Sequence, residues 1–292
     1  MRIWAELETI FKEVFFNITF MKIFKLLLFL LLFSFFNFAQ SQDLLHFSYG
    51  SLSQQRLDLY LPEGNLANKP VVIMLHGGAW TIGGLEYTSK HCQDICNRGF
   101  IVANVDYRYV NDKISAKDLL EDIDNAVNYV SSLSKKYGYV KNGYHIAGIS
   151  AGGHLALLYG YKMKNMKSIS ALCAPSRLDS PVVFEFMTKK EHLDIIEKLA
   201  GVKFNKNAAN PAFQSVSPFN NISNIPTLLI HGDADALVNV SLSQNLYAEL
   251  KNKGVETKLE IRKGKDHDVG MNSPETEIQN ISDITNWILQ HN

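Results

Sequence analysis

The residues best suited to chemistry lie in the segment GISAG at residues 148–152, which has the pattern G-x-S-x-G. The segment follows a continuous apolar run and precedes a stretch with helical spacing. A serine at a sharp strand-to-helix turn exposes its hydroxyl, and small neighbours leave room for the crowded backbone of such a turn. The N-terminus of the following helix favours developing negative charge. The pattern therefore predicts Ser150 as a nucleophile, and its context disfavours the alternative of an ordinary glycine-rich turn.

A second candidate segment is HGGAW at residues 76–80, which also follows an apolar run. The tetrahedral intermediate of acyl transfer needs backbone N–H donors aimed at its oxyanion, and glycines expose such donors without side-chain obstruction. We expect the amides of Gly78 and Ala79, together with the amide of Ala151, to form an oxyanion hole. His76 is expected to be a structural hydrogen-bonding residue rather than a base.

A nucleophilic serine needs a histidine base and a carboxylate that orients it. The segment HGDAD at residues 231–235 offers two carboxylates at the end of another apolar run. We choose Asp235 as the orienting carboxylate and expect Asp233 to order the turn. Two histidines follow Asp235, and one of them, His291, is next to the end of the sequence. His267, in a polar loop after an alternating segment, is therefore the predicted base.

These segments require a scaffold in which strands alternate with helices. Two alternating apolar and polar stretches, 46–49 and 55–61, predict an opening antiparallel hairpin. Apolar runs typical of strands buried on both faces follow it, separated by stretches with helical spacing. The predicted strands are 71–75, 100–105, 144–149, 169–173, 227–230 and 256–262, and the predicted helices are 115–133, 153–163, 242–251 and 275–289. This order predicts an α/β fold with a mostly parallel, doubly wound sheet, in which functional groups gather where strands end.

One stretch, residues 180–221, breaks the alternation and contains a short predicted helix near residues 190–199. The stretch is too long for an ordinary connection. We therefore expect a small helical cap inserted about residues 180–221, within one domain that covers residues 43–292.

The order Ser150, Asp235, His267, with HGGAW upstream, resembles the order of parts in α/β-hydrolases of the esterase and lipase kind. The segments HGGAW, GISAGGH and HGDADALV are most similar to the small carboxylesterases related to hormone-sensitive-lipase and feruloyl-esterase-type enzymes. The resemblance covers nearly all of residues 44–290. It implies an eight-stranded α/β-hydrolase sheet, a catalytic triad and a two-step acyl transfer without metal or cofactor. Ala79 replaces the third glycine of the family's HGGG, and its N–H is still available.

The resemblance implies a serine esterase but leaves several substrate classes open. A short-chain carboxylic ester is the first expectation, and an acetylated or feruloylated carbohydrate would suit an exported enzyme, with Trp80 and Tyr87 as candidate substrate-binding residues. A serine peptidase or amidase and a non-catalytic binding protein on the same fold are the alternatives. The 29 basic residues are balanced by 29 acidic ones, so no positive field for phosphate is present and no nucleic-acid partner is expected.

The beginning of the sequence is typical of a secretory signal peptide. Two lysines precede the apolar stretch 26–36, and the small residue Ala39 follows it. This apolar core is short for a membrane span. We expect Met21 to be the true start, cleavage near Ala39, and a secreted or periplasmic product. Residues 1–40 would then be an over-long start plus a signal peptide; an uncleaved membrane anchor is the alternative.

The three cysteines, Cys92, Cys96 and Cys173, are too few for a disulfide framework. Cys92 and Cys96 are four residues apart in a segment predicted to be helical. We expect both to be buried as small apolar side chains, with a local disulfide as the alternative. Their spacing does not match a zinc site.

Overall fold

The computed structural model describes residues 43–206 and 210–292, so the predicted signal peptide lies outside the described residues. Eight strands within these ranges form one sheet in the order β1-β2-β4-β3-β5-β6-β7-β8. The strands are β1 Asp43–Ser48, β2 Arg56–Leu61, β3 Val71–Leu75, β4 Ile101–Val105, β5 His145–Ile149, β6 Ile169–Leu172, β7 Thr227–Gly232 and β8 Thr257–Arg262. The pairs β1–β2 and β2–β4 are antiparallel and all other neighbouring pairs are parallel. The mostly parallel eight-stranded sheet and its opening hairpin are confirmed.

A helix follows each strand from β3 onwards, and the helices lie on both faces of the sheet. They are α1 Ser89–Asn97, α2 Ala116–Tyr137, α3 Ala151–Met163, α4 Pro181–Lys189, α5 Leu193–Ala200, α6 Pro211–Ser215, α7 Ser241–Asn252 and α8 Pro274–Gln290. In the part of the chain that the structure describes, no helix combines the length and the apolar character that crossing a bilayer requires.

The strands β3 to β7 are buried on both faces, since successive side chains of a strand point to opposite sides and apolar residues cover each side. In β3, Val71, Ile73 and Leu75 belong to one apolar cluster, whereas Val72 and Met74 belong to the other. The first cluster includes buried side chains of α2, α3 and α7, and the second includes those of α1 and α8. A strand covered on both sides needs a continuous apolar run, which explains why these strands were visible in the sequence.

Helix α2 shows how local sequence sets the bounds of an element. Ser115 and Asp118 form a capping box at its beginning, because each side chain meets the backbone amide of the other. The helix continues beyond the predicted end at residue 133 and stops at Gly138, whose φ of 82° is left-handed and whose amide donates to Ser134 O. A glycine in this conformation is a common helix end.

In the described residues of the stretch 180–221, the structure has three α-helices, α4 to α6, and a short 3₁₀ helix at Pro218–Asn220, where the sequence predicted one helix. The predicted helix near residues 190–199 corresponds to α5, but α4 was not predicted. Valine and phenylalanine lower its helix propensity, and packing compensates for this. Phe184 of α4 stacks on Phe204 with ring centroids 3.9 Å apart, and it meets Phe213 edge-on at 4.8 Å.

The three cysteines are free and buried. Burial raises the pKa of the Cys96 thiol to about 12. Cys92 and Cys96 pack in the apolar cluster that also contains α8. The prediction of buried small side chains is confirmed, and the alternative of a local disulfide was wrong.

A buried ion pair fixes the loop after β4 to α2. The Asp122 carboxylate is fully buried and accepts from Arg108 Nε at 2.8 Å and from the Arg108 amide at 2.9 Å. Gln55 Nε2 donates to the other carboxylate oxygen at 2.8 Å. Because Asp122 has these partners on both oxygens, its charge is compensated inside the protein.

The substitution Asp122→Ala should therefore lower the free energy of unfolding by about 1.5–3 kcal/mol, since it leaves the Gln55 side-chain amide and the Arg108 backbone amide without their buried acceptor. The Arg108 guanidinium keeps Asp118 and Glu121 as partners. Urea unfolding measured by circular dichroism checks this value. Lys189→Ala is the control, because it breaks an exposed pair with Glu185 and should hardly move the unfolding midpoint. Equal effects of the two substitutions would contradict a structural role for Asp122.

Candidate active site

Ser150 occupies the turn between β5 and α3. Its φ of 55° and ψ of −117° lie in a region that residues other than glycine rarely adopt. Its amide donates to Leu172 O at 2.8 Å, and its carbonyl accepts from the His154 amide at 2.9 Å. The turn is thus held by β6 on one side and by the first turn of α3 on the other.

Two glycines make this turn possible. A Cβ atom on Gly148 would lie 2.3 Å from Gly152 O, and a Cβ atom on Gly152 would lie 2.2 Å from Leu75 O and 2.4 Å from His76 O. Such distances are far below van der Waals contact, so the backbone of α3 can approach β3 only because side chains are absent. This approach brings Ser150 close to the segment HGGAW.

His267 connects Ser150 to Asp235. Its Nε2 lies 2.8 Å from Ser150 Oγ, and its Nδ1 lies 2.8 Å from Asp235 Oδ2. With the Nδ1 proton donated to the carboxylate, the Nε2 lone pair faces the serine hydroxyl. The His267 side chain is 24% exposed, whereas the Asp235 side chain is fully buried. The structure therefore brings together the three residues predicted as nucleophile, base and orienting carboxylate.

The Asp235 carboxylate is saturated with donors. Oδ1 accepts from the amides of Leu237 and Val238, both at 2.8 Å, and Oδ2 accepts from His267 and from His231 Nε2 at 3.1 Å. Burial alone would raise the pKa of Asp235, but the hydrogen bonds from His231, His267 and the Val238 amide outweigh it and hold the pKa well below its ordinary value. The group is therefore ionised wherever His267 acts as a base.

The competing carboxylate, Asp233, has a different partner. Its Oδ1 accepts from the Gly264 amide at 2.6 Å. The neighbouring Ala234 amide donates to Lys265 O at 2.9 Å. Asp233 thus joins the loop after β7 to the loop that carries His267, which confirms its predicted role in ordering the turn.

The segment HGGAW forms a strained loop at the end of β3. Gly78, Ala79 and Trp80 have φ angles of 117°, 49° and 60°. Among the described residues, neither the Gly78 amide nor the Ala79 amide meets a protein acceptor. The Ala151 amide lies in the first turn of α3, where the helix supplies no acceptor. These are the three predicted oxyanion donors, and their role stays a prediction.

His76 lies behind this loop and has no bond to Ser150. Its Nε2 is 3.1 Å from Asp106 Oδ1, its Nδ1 is 2.6 Å from Gly77 O, and its ring stacks on Tyr107 at 4.4 Å. The expected structural role of His76 is confirmed.

The two aromatic residues predicted to bind substrate have different surroundings. Trp80 is only 5% exposed, and its indole N–H donates to His154 Nδ1 at 3.1 Å. Tyr87 is 52% exposed, and its ring lies edge-on to His76 at 6.3 Å. Trp80 therefore anchors the HGGAW loop to α3. A contact of either ring with substrate stays a prediction.

Two histidines at the site were not predicted from the sequence. His154 accepts from Trp80 and donates from Nε2 to Val216 O at 2.7 Å. Burial lowers the pKa of His154 to about 4. Because Nε2 donates to a carbonyl, the lone pair of the neutral ring is on Nδ1 and accepts from the indole N–H. His231 contacts the same Asp235 oxygen, Oδ2, as His267. His154 is the last residue of the motif GISAGGH, and His231 is the first residue of the motif HGDADALV. Their place in these motifs is the signal that could have found them.

The arrangement contains the parts of nucleophilic acyl transfer: a hydroxyl, a base with a free lone pair, an ionised carboxylate and free amides. Across residues 43–206 and 210–292, no group of three or more His, Cys, Asp or Glu side chains could hold a metal ion.

The BD-FAE family model matches residues 57–250 of the 292 in the chain. The chain belongs to the BD-FAE family. This is an esterase family with the α/β-hydrolase fold, so the resemblance inferred from the motifs is confirmed at the level of the family.

Several named relatives are similar to parts of the chain. A probable isoprenylcysteine alpha-carbonyl methylesterase ICME of Oryza sativa subsp. japonica is 27% identical over 259 residues, which are 82% of this chain and 62% of that protein. The probable methylesterase ICMEL1 of Arabidopsis thaliana is 37% identical over 108 residues, 37% of this chain and 22% of that protein. A kynurenine formamidase of Salmo salar is 30% identical over 119 residues, 40% of this chain and 38% of that protein. The chain thus spans less than two thirds of the length of these curated relatives.

Solved structures show the same fold. A truncated form of a carbohydrate esterase from gut microbiota superposes with a TM-score of 0.70 at 20% identity, and the match covers 87% of this chain and 98% of that one. Esterase B from Lactobacillus rhamnosis gives a TM-score of 0.72 at 19% identity, covering 85% of this chain and 87% of that one. The chain has the α/β-hydrolase fold.

The substitution Gly152→Ala should lower kcat for an activated ester by about 10²-fold, because the added Cβ forces Ser150 away from the HGGAW loop. Hydrolysis of p-nitrophenyl acetate measures this loss. Gly160→Ala in the same helix is the matched control, since its Cβ would meet only side-chain carbons, those of Ile169 and Ile146, the nearest at 2.6 Å. We expect that control to affect thermal stability but not kcat. An unchanged kcat in Gly152→Ala would show that the close approach is not needed.

Proposed function

We propose that this protein is a serine carboxylic-ester hydrolase that forms an acyl-enzyme on Ser150. The observation that carries the proposal is the unbroken hydrogen-bond chain from Ser150 Oγ through His267 to Asp235, with both distances at 2.8 Å. Membership of an esterase family supports ester hydrolysis as the reaction class.

In the proposed mechanism, His267 Nε2 takes the hydroxyl proton as Ser150 Oγ attacks the ester carbonyl carbon. The amides of Gly78, Ala79 and Ala151 stabilise the oxyanion, and Asp235 stabilises the imidazolium. His267 then gives its proton to the alcohol oxygen as the carbon–oxygen bond breaks. In the second step, His267 deprotonates a water that attacks the acyl-enzyme, and the proton returns to Ser150 Oγ.

For the substrate, we propose esters with short acyl chains, among them acetylated or feruloylated carbohydrates. Ile82 is 60% exposed and Leu237 is 61% exposed. These two apolar side chains support a substrate that carries an apolar group next to its ester. They belong to the loops that carry Gly78 and Asp235. The fold neighbour named as a carbohydrate esterase supports the sugar ester, and the plant relatives named as methylesterases add methyl esters to the classes to be screened.

The second candidate reaction is amide hydrolysis, which uses the same residues. The specific observation in its favour is the similarity to a kynurenine formamidase over 119 residues. An N-formyl aromatic amide in the substrate panel tests it directly. Amide cleavage at rates above those of every ester would replace the ester proposal.

The deciding experiment is a panel of p-nitrophenyl acetate, butyrate and decanoate, methyl ferulate, an acetylated xylo-oligosaccharide and an N-formyl aromatic amide, tested on residues 43–292. We expect the acetate and butyrate to be cleaved fastest. Ser150→Ala should reduce kcat by on the order of 10⁶-fold, and Asp235→Asn by about 10⁴-fold, because it favours the wrong tautomer of His267.

Asp233→Asn is the matched control, because it changes the neighbouring carboxylate that has no contact with His267. It should cost far less activity than Asp235→Asn. Ester hydrolysis that survives Ser150→Ala would overturn the proposed nucleophile. Labelling of Ser150 by a fluorophosphonate without cleavage of any ester would move the proposal to amide substrates. A chain that neither cleaves nor is labelled would fit the binding-protein alternative.

We also propose that the protein is exported and cleaved near Ala39. The support is the order of lysines, apolar stretch and small residue between Met21 and Ala39. Expression from Met21 in a bacterial host, followed by N-terminal sequencing of the extracellular or periplasmic product, should give a chain beginning close to residue 40. Recovery of the uncut chain in the membrane fraction would favour the anchor instead.

A further inference from the structure

His231 is the second histidine on the Asp235 carboxylate. It lies near the end of β7 and is fully buried. Its Nε2 is 3.1 Å from Asp235 Oδ2 and 2.9 Å from Val238 O. Both partners are acceptors, so Nε2 carries the proton. Its Nδ1 lies 2.7 Å from Ser243 Oγ, a hydroxyl that can donate.

The Asp235 Oδ2 atom is therefore shared by two imidazoles that play different parts. His267 is the partly exposed base, and His231 is enclosed between β7 and α7. The bond from His231 to Val238 O also holds the segment whose amides, those of Leu237 and Val238, bind Oδ1. One ring thus fixes both the carboxylate and the loop that cradles it.

We propose that His231 is a positioning residue that acts through Asp235 and sets how strongly the carboxylate holds His267. This inference rests on the proposed function, because it assigns His231 a part in the same acyl transfer. His231 itself contacts neither Ser150 nor the oxyanion loop.

The proposed role of His231 depends on the negative charge of Asp235 Oδ2. A donor from His231 disperses part of that charge and fixes the plane of the carboxylate. Without this donor, Oδ2 interacts more strongly with a protonated His267, which favours the protonated form of the base. The carboxylate is also free to rotate about its Oδ1 contacts, so the His267 ring is held less firmly towards Ser150.

The ionisable groups around the carboxylate are His231, His267, the buried Cys173 thiol and Asp268 beyond it. Of these, His231 and His267 make hydrogen bonds to Asp235. Substitution of His231 leaves the other groups in place, so a shift in the pH profile reports on this one contact.

The test compares His231→Leu with His231→Gln. Leucine removes the donor, whereas the glutamine amide can place an N–H near the original Nε2 position. For His231→Leu we expect kcat to fall by about 10-fold or more, with KM little changed. The acid limb of the kcat/KM profile should move to higher pH by on the order of half a unit. His231→Gln should restore most of kcat and return the acid limb to its wild-type position.

His145→Leu is the matched control. His145 is also a buried strand residue whose Nδ1 meets a serine, Ser168 Oγ at 2.8 Å, but it belongs to β5 and has no contact with Asp235. We expect it to lower thermal stability as much as His231→Leu and to leave the acid limb unchanged. If His145→Leu and His231→Leu lowered kcat equally, or if His231→Leu left the acid limb of the kcat/KM profile in place, His231 would be a packing residue only.

Ser243→Ala keeps the His231 ring but removes its Nδ1 partner, so it gives a milder test should His231→Leu fail to fold. We expect a smaller shift of the acid limb in the same direction. No shift in Ser243→Ala and no recovery in His231→Gln would together overturn the proposal.

A measurement without substrate separates this proposal from the proposed function. The proton between His267 Nδ1 and Asp235 Oδ2 should give a low-field resonance in the NMR spectrum of the protonated wild type, and His231→Leu should move it or broaden it. A shifted resonance supports the positioning role even where no ester in the panel is cleaved. An identical resonance in wild type and His231→Leu would contradict that role even in an active esterase.

Discussion

The whole site depends on how closely the first turn of α3 approaches the end of β3. Leu75 O and His76 O lie where a side chain on Gly152 would be, so two backbones meet there without side chains between them. The approach requires a positive φ at Ser150, and this backbone conformation costs about 1–3 kcal/mol. Bonds from β6 and from the His154 amide hold the turn on both sides and keep it in this conformation.

The order of the strands explains why distant segments meet. β3, β5, β6, β7 and β8 are successive parallel neighbours, so their carboxyl ends lie along one edge of the sheet. Residues from the loops after β3, β5, β7 and β8 therefore come together although 191 positions separate His76 from His267. The carboxylate of Asp235 then needs only two backbone amides and two imidazoles to be both buried and ionised.

Much of this arrangement could be predicted because it follows from local patterns in the amino-acid sequence. Strands buried on both faces are continuous apolar runs, and Ser150, Asp235 and His267 each follow one strand in a motif or a polar loop. The partners of His154 and His231 could not be predicted, since they depend on which side chains the packed elements bring close. Helix α4 was missed for a similar reason: its residues favour strand locally, and the stacking of Phe184 on Phe204 is a tertiary contact.

The bridge from Trp80 through His154 to Val216 has a wider consequence. It runs from the loop at the end of β3, through α3, to the carbonyl just before Ser217, at the close of the helical stretch 180–221. One buried side chain of α3 thus joins the HGGAW loop to a single backbone carbonyl of the helical stretch. Changes in the length or character of α4 and α5 would leave Trp80 and the HGGAW loop in place, provided that Val216 O keeps its position. A displacement of Val216 O would, by contrast, reach the HGGAW loop through His154 and Trp80.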